Sequence, residues 1–214
     1  MRLQSSYRLF LFIALSICIT SVNSYAQKPT AQTFFDIGAE NLANVEYSEA
    51  IDAFMHAIKL KPDYAEAYFN LGVAYYNLHR YDEALDSYKK AVKINPGYEQ
   101  AFISLGVVSS MLGNEKEAVS AMESAIKINP GNVETHYTFG NLLSELRRYQ
   151  EAVEAYKKAL KLKPQFAEAH YHLGIAYVNL GGPMLTAAKN ELQTLKSLNK
   201  DLAEELDALI KRAK

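Results

Sequence analysis

One pattern recurs at a period of 34 residues from Ala31 to Gln165. Pro62, Pro96, Pro130 and Pro164 set its register. Gly38, Gly72, Gly106 and Gly140 then align, and Gly174 begins a fifth copy. Ala50, Ala84, Ala118 and Ala152 align as well, as do Ala57, Ala91, Ala125 and Ala159. A fixed period of this length marks a solenoid. A unit so short cannot bury a core alone and must share one with its neighbours. Such an array offers a long surface.

Each unit reads as two helices. In the second, Tyr68, Leu71, Tyr75 and Leu78 recur at helical spacing over 65–78, and Leu85, Tyr88 and Val92 over 82–94. His79-Arg80-Tyr81 is the expected turn between them. Asn95-Pro96-Gly97 ends the second helix, since proline cannot continue it. Glycine inside a helix costs about 1 kcal/mol against alanine, so its regular return calls for a packing reason. Gly72 and Ala84 are expected where the two antiparallel helices touch. Lys59, Lys93, Lys127 and Lys161 fall in the last turns of the second helices, at the negative end of the helix dipole.

Tyr68-x2-Leu71-Gly72-x2-Tyr75, Ala84-x3-Tyr88-x2-Ala91 and Pro96 resemble the tetratricopeptide repeat, with Tyr68 in the usual tryptophan slot. The resemblance covers four units, 31–64, 65–98, 99–132 and 133–166, and a degenerate fifth, 167–200. It implies an all-α fold: a right-handed superhelical solenoid of helix-turn-helix repeats. Its first helices would line a concave groove that takes peptide segments of partner proteins.

The two ends depart from the pattern. In the first unit Asn41 and Asn44 replace the apolar Tyr75 and Leu78, as suits a solvent-facing end. In the fifth, Gly181-Gly182-Pro183 interrupts the turn. Ala188, Leu192 and Leu195 keep the second-helix spacing about two residues late, and Lys200 replaces the closing proline. Residues 201–214 read as a C-terminal capping helix, opened by Asp201 with Glu204 completing a capping box. Leu202, Leu206 and Leu209 form its apolar stripe.

Residues 1–26 read as a signal peptide, and 27–30 as a short linker. Arg2 and Arg8 precede the apolar run Leu9 to Ile19, and Ser24-Tyr25-Ala26 supplies a cleavage site. The run falls short of the ~20 residues a membrane span needs. Export to the periplasm, or secretion, is therefore expected, with cleavage near Ala26 leaving a soluble chain without a stable membrane span. Cys18, the only cysteine, lies in this leader, and the bulky Ile17 before it argues against lipidation. Without the leader the chain has neither disulfide nor thiol chemistry.

Net charge is −1, so there is no basic stripe of the kind nucleic acid requires. The chain has no glycine-rich phosphate loop and no His-Glu-x-x-His. His170 and His172 are two apart on a helix and point away from each other, which rules out a shared metal. His136 and His170 occupy the slot of Phe34, Tyr68 and Phe102 and read as packing residues. No catalytic residue, cofactor or metal is expected; the chain reads as non-enzymatic.

The resemblance also implies which residues face inward. The residue three before each recurring glycine is Phe35, Phe69, Ile103, Tyr137 or Tyr171. The next slot holds Asp36, Asn70, Ser104, Thr138 or His172, and the residue after each glycine is Ala39, Val73, Val107, Asn141 or Ile175. The candidate groove is Phe35, Phe69, Asn70, Val73, Ile103, Tyr137, Thr138, Asn141, Tyr171 and His172. Gln32, Glu66, Gln100, Glu134 and Glu168 form its outer rim and read as a solvated edge. No lysine or arginine stands in the inward slots, so the clamp that some members close on a terminal carboxylate is missing. The aromatic ladder has two readings, partner binding or packing of neighbouring first helices. A scaffold for protein or peptide partners is the first functional expectation. A cell-wall glycan-binding module, with Phe69, Tyr137 and Tyr171 stacked on sugar rings, is the alternative.

Overall fold

The computed structural model describes residues 28–213; the leader lies outside them. Eleven helices are found among the described residues. Five antiparallel pairs follow in order: α1 (Ala31–Ala43) with α2 (Tyr47–Leu60), α3 (Ala65–Asn77) with α4 (Tyr81–Ile94), and α5 (Glu99–Met111) with α6 (Glu115–Ile128). Then come α7 (Val133–Glu145) with α8 (Tyr149–Leu162), and α9 (Ala167–Leu180) with α10 (Met184–Leu198). A last helix, α11 (Lys200–Arg212), packs on both α9 and α10. The architecture is an all-α solenoid of helix pairs with a terminal helix.

The glycines set the distance within each pair. A methyl group on Gly72 would stand 2.6 Å from the Tyr88 ring, and one on Gly140 2.5 Å from the Tyr156 ring. Phe54 and Met122 fill the same place over Gly38 and Gly106. Each large side chain comes from the partner helix, and all four are buried, with Ala50, Ala84, Ala118 and Ala152 beside them. A larger residue at the glycine would push the helices apart. In the fifth unit Asn190 holds that register and is exposed. Leu206 of α11 covers Gly174 instead.

The turns within the first four pairs share one geometry. The amide of Arg80 donates to the Tyr75 carbonyl at 2.9 Å, and that of His79 to the Tyr76 carbonyl at 2.9 Å. This is the Schellman arrangement, which needs a left-handed residue at its corner. That residue is Val45, His79, Gly113 or Arg147, with φ of 67°, 58°, 76° and 58°. Only the third unit uses glycine there. The turn is also one residue tighter than the sequence suggests, because Tyr81 already belongs to α4.

Successive first helices touch one another: α1 on α3, α5 on α7, and α7 on α9. The second helices pack on the first helix of the next unit rather than on each other. Closer approach on one side curves the array, with the first helices on the inside. At the N-terminal end, where no helix precedes α1 among the described residues, Ile37 is 42% exposed, although its equivalents Leu71, Leu105 and Leu173 are buried. Asn44 there is exposed and Asn41 half-buried, as expected of an end unit.

The start of α11 differs from expectation. Its N-cap is Asn199, whose side chain accepts from the amides of Asp201 and Leu202 at 3.1 and 3.2 Å. Lys200 is its first residue. Glu204 faces Lys200 at 3.7 Å and completes no capping box. Asparagine is itself among the best N-caps, so it takes the place assigned to Asp201. The buried stripe is Ala203, Leu206 and Ile210, with Leu202 and Leu209 only half-buried. A capping box does occur at α1, between Thr30 and Thr33.

Candidate functional site: the inner face of the first helices

All ten candidate groove residues lie on α1, α3, α5, α7 and α9, and every one is half-buried. None is lost to the core and none stands fully in water. The five ladder residues sit at the seam between consecutive units. Phe35 packs on Tyr64 with ring centroids 5.0 Å apart, Phe69 on Tyr98 at 5.0 Å, and Tyr137 on Phe166 at 4.9 Å. Tyr64, Tyr98 and Phe166 are the residues just before α3, α5 and α9. Sequence reasoning missed these partners. Their signal was an aromatic residue two after the proline, repeated in three units.

Between α3 and α5 the inner face opens into a hollow of about 320 Å³, lined by Val73, Tyr76, Ile103, Ser104, Val107 and Val108 among others. It holds no charged side chain. A second hollow, of about 360 Å³, lies on the outer side between α2, α3 and α4. Lys59, Lys90, Glu83 and Asp86 ring it. Lys90 there reaches over the Tyr68 ring at 5.4 Å.

The polar members of the set are tied to the scaffold. Asn70 donates to the Glu66 carbonyl one turn back, at 2.9 Å. Asn141 accepts from the Tyr156 hydroxyl at 2.9 Å. Burial pushes that phenol up to about 12. Tyr171 donates to Glu205 of α11 at 2.8 Å, so the terminal helix reaches the inner face. His172 packs among Tyr137, Tyr156 and Tyr171, and burial lowers its pKa.

His136 and His170 pack between helices and also anchor the turns before them. Each ring bonds through Nε2 to a proline carbonyl, Pro130 or Pro164, at 2.9 Å. The Nδ1 of His170 meets Glu191 at 2.6 Å, and that bond is the main reason its pKa is raised. Phe34, Tyr68 and Phe102 in the same slot lack a ring nitrogen for this contact.

One buried cluster went unread in the sequence. Glu99, only 8% exposed, accepts from Asn129 at 3.0 Å, from Asn132 at 2.5 Å and from Thr135 at 2.9 Å. It joins the third unit to the fourth. The corresponding residues one unit earlier are Ala65, Asn95, Tyr98 and Ala101. Three departures from the repeat in two neighbouring units were the available signal.

Among the described residues no three of His, Cys, Asp and Glu gather into a set that could hold a metal. Nor is any described helix long and apolar enough to cross a membrane.

Models of the tetratricopeptide repeat match residues 65–98 and 121–154, and a model described as TPR repeat matches 46–79 and 140–181. A model of anaphase-promoting complex subunit 5 matches 94–137. No curated protein matches the sequence. Among solved structures the chain is similar to the MamA protein, at 24% identity over 81% of this chain and 94% of that one, with a TM-score of 0.73. It is similar to MamA from Desulfovibrio magneticus RS-1 at 22% identity over 80% and 96%, TM-score 0.72. It is also similar to YrrB, described as a TPR protein with an unusual peptide-binding site, at 23% identity over 85% and 94%, TM-score 0.71. At these identities the likeness is one of fold. With the 34-residue register, the stacked helix pairs and the repeat models in agreement, the chain belongs to the tetratricopeptide-repeat family.

Proposed function

We propose that this chain is a non-enzymatic adaptor that binds an extended segment of a partner protein along the inner face of its first helices. The apolar hollow between α3 and α5 carries this reading. It is concave, free of charged side chains and flanked by half-buried rings, which is the usual make-up of a ligand site. YrrB, of similar fold, is described as binding peptide. The leader 1–26 supports a setting in the periplasm or outside the cell.

Site-specific cross-linking tests the reading. A photoreactive residue at Val73 or Val107 should trap the partner, and one at Lys90 on the outer side should not. Val73→Lys and Val107→Lys should abolish capture while circular dichroism shows the helices intact. Capture from Lys90 alone would move the binding face to the outer hollow. Trapping of cell-wall glycan rather than protein at Val107 would establish the alternative module.

A further inference from the structure

The half of the inner face formed by α7 and α9 differs from the apolar hollow. His172 lies at the centre of a ring cluster. Tyr137 meets it edge-on at 5.7 Å and 64°, Tyr171 at 5.2 Å and 75°, and Tyr156 lies near parallel at 6.1 Å and 25°. Tyr156 is wholly buried and forms the floor; the other three rings are half-buried and form walls.

Carboxylates surround the cluster. Glu134 and Glu168 stand exposed in the first turns of α7 and α9. Both act electrostatically on Tyr137, and Glu168 also acts on His172. Glu205 accepts the Tyr171 hydroxyl proton at 2.8 Å, which enriches the electron density of that ring. Among the described residues no lysine or arginine lies within ion-pair distance of Glu134, Glu168 or Glu205. Beside α8, Arg148 pairs with Glu151 and Lys157 with Glu154, and Lys163 lies over the Phe166 ring at 4.5 Å. Burial keeps His172 from supplying a cation itself. Tyrosine rings with carboxylates beside them attract a cation.

We propose that this ring cluster, with Glu134 and Glu168 at its rim, seats a lysine or arginine side chain of the bound segment. The proposal rests on the groove reading above and gives the segment its chemistry. An apolar residue enters the hollow at α3 and α5, and a basic residue enters the seat at α7 and α9. An acidic tail is disfavoured.

Two small probes test the seat on the full chain, with tyrosine and histidine rings labelled for NMR. Nα-acetyl-lysinamide should shift the ring signals of Tyr137, Tyr171 and His172. Nα-acetyl-norleucinamide, which lacks the charge, should bind there at least fivefold more weakly. Glu134→Gln with Glu168→Gln, both at exposed positions, should weaken the lysine probe at least threefold and leave the norleucine probe unchanged. Equal binding of the two probes, or no shift at these rings, overturns the seat while the cross-links at Val73 and Val107 still uphold the groove. Cross-links mapped away from Val73 and Val107 overturn the groove reading, and with it the proposal that the seat serves a segment bound there.

Discussion

Leu206 lies over Gly174, with its Cδ2 2.5 Å from where a methyl group on that glycine would stand. In the four preceding units the covering residue comes from the unit's own second helix. The terminal helix therefore completes the fifth unit as well as shielding it. Leu206→Ala should cost about 2–5 kcal/mol, the usual range for a buried leucine. Leu209→Ala, half-buried on the same helix, should cost less than half as much. Urea unfolding measures both. Hydrogen exchange should show α9 losing protection first in Leu206→Ala, because each unit leans on the next.

The glycines should differ in their tolerance of alanine. At Gly140 the added methyl meets the rigid Tyr156 ring at 2.5 Å, and moving it disturbs the bond to Asn141. At Gly106 it meets Met122 at 2.8 Å, on an unbranched side chain that can turn aside, and the Ala118 carbonyl oxygen at 3.1 Å, where a shift of a few tenths of an ångström suffices. Gly140→Ala should cost about 1–3 kcal/mol, and Gly106→Ala clearly less. Gly106→Leu should lose far more than the exposed Lys127→Ala. Thermal unfolding of the four variants gives the order.

Val45 holds φ at 67° while 64% exposed. A β-branched residue in the left-handed region is strained, and little burial offsets it here. Val45→Gly should raise stability by roughly 1 kcal/mol. Gly113→Val, at φ 76°, should lower it by a similar amount. Urea midpoints with an unchanged slope would report both.

His170 and His172 should titrate in opposite senses. The Glu191 bond raises the pKa of His170, and burial lowers that of His172. His170 thus adds stability that is complete below its unfolded value of about 6.5 and is lost as pH rises through its raised folded value. His172 has the reverse effect: the folded state resists its protonation, so stability falls as pH drops below about 6.5. A histidine titration by NMR should find His172 deprotonating first as pH rises. His170→Phe should remove the loss on the alkaline side, and Glu191→Gln should reduce it.

The period alone made the helix pairs legible, because the glycines and alanines that space the helices cannot vary. The inner-face slots came from the family resemblance rather than from the period, and all ten residues share one degree of burial. What escaped was specific to single junctions. The Asn199 cap was hidden behind Asp201, an equally good capping residue two positions later. The ring partners Tyr64, Tyr98 and Phe166 lie outside both helices of the motif, where spacing arguments do not reach. The Glu99 cluster needs contacts between units, and one unit's pattern says nothing about those.

That cluster yields the last prediction. Glu99 is a buried carboxylate that accepts from Asn129 and Asn132 of its own unit and from Thr135 of the next. Glu99→Ala would leave the buried Thr135 hydroxyl and the half-buried Asn132 amide without this acceptor, and a buried donor left unsatisfied costs about 1–3 kcal/mol. At the preceding junction the same space is filled by Ala65, Tyr98 and Ala101, and Tyr98 packs on Phe69. The triple variant Glu99→Ala, Asn132→Tyr, Thr135→Ala copies that junction. It gives up the Asn132 cap on α7, worth about 1 kcal/mol. It should still recover most of the loss, because no buried polar group is left unmatched and a ring returns beside Ile103. Urea unfolding of wild type, Glu99→Ala, the double variant Asn132→Tyr, Thr135→Ala and the triple variant forms a cycle, whose interaction energy should be large and favourable. If the triple variant is less stable than Glu99→Ala, the third and fourth units are held by more than this carboxylate, and their junction cannot be exchanged for its neighbour.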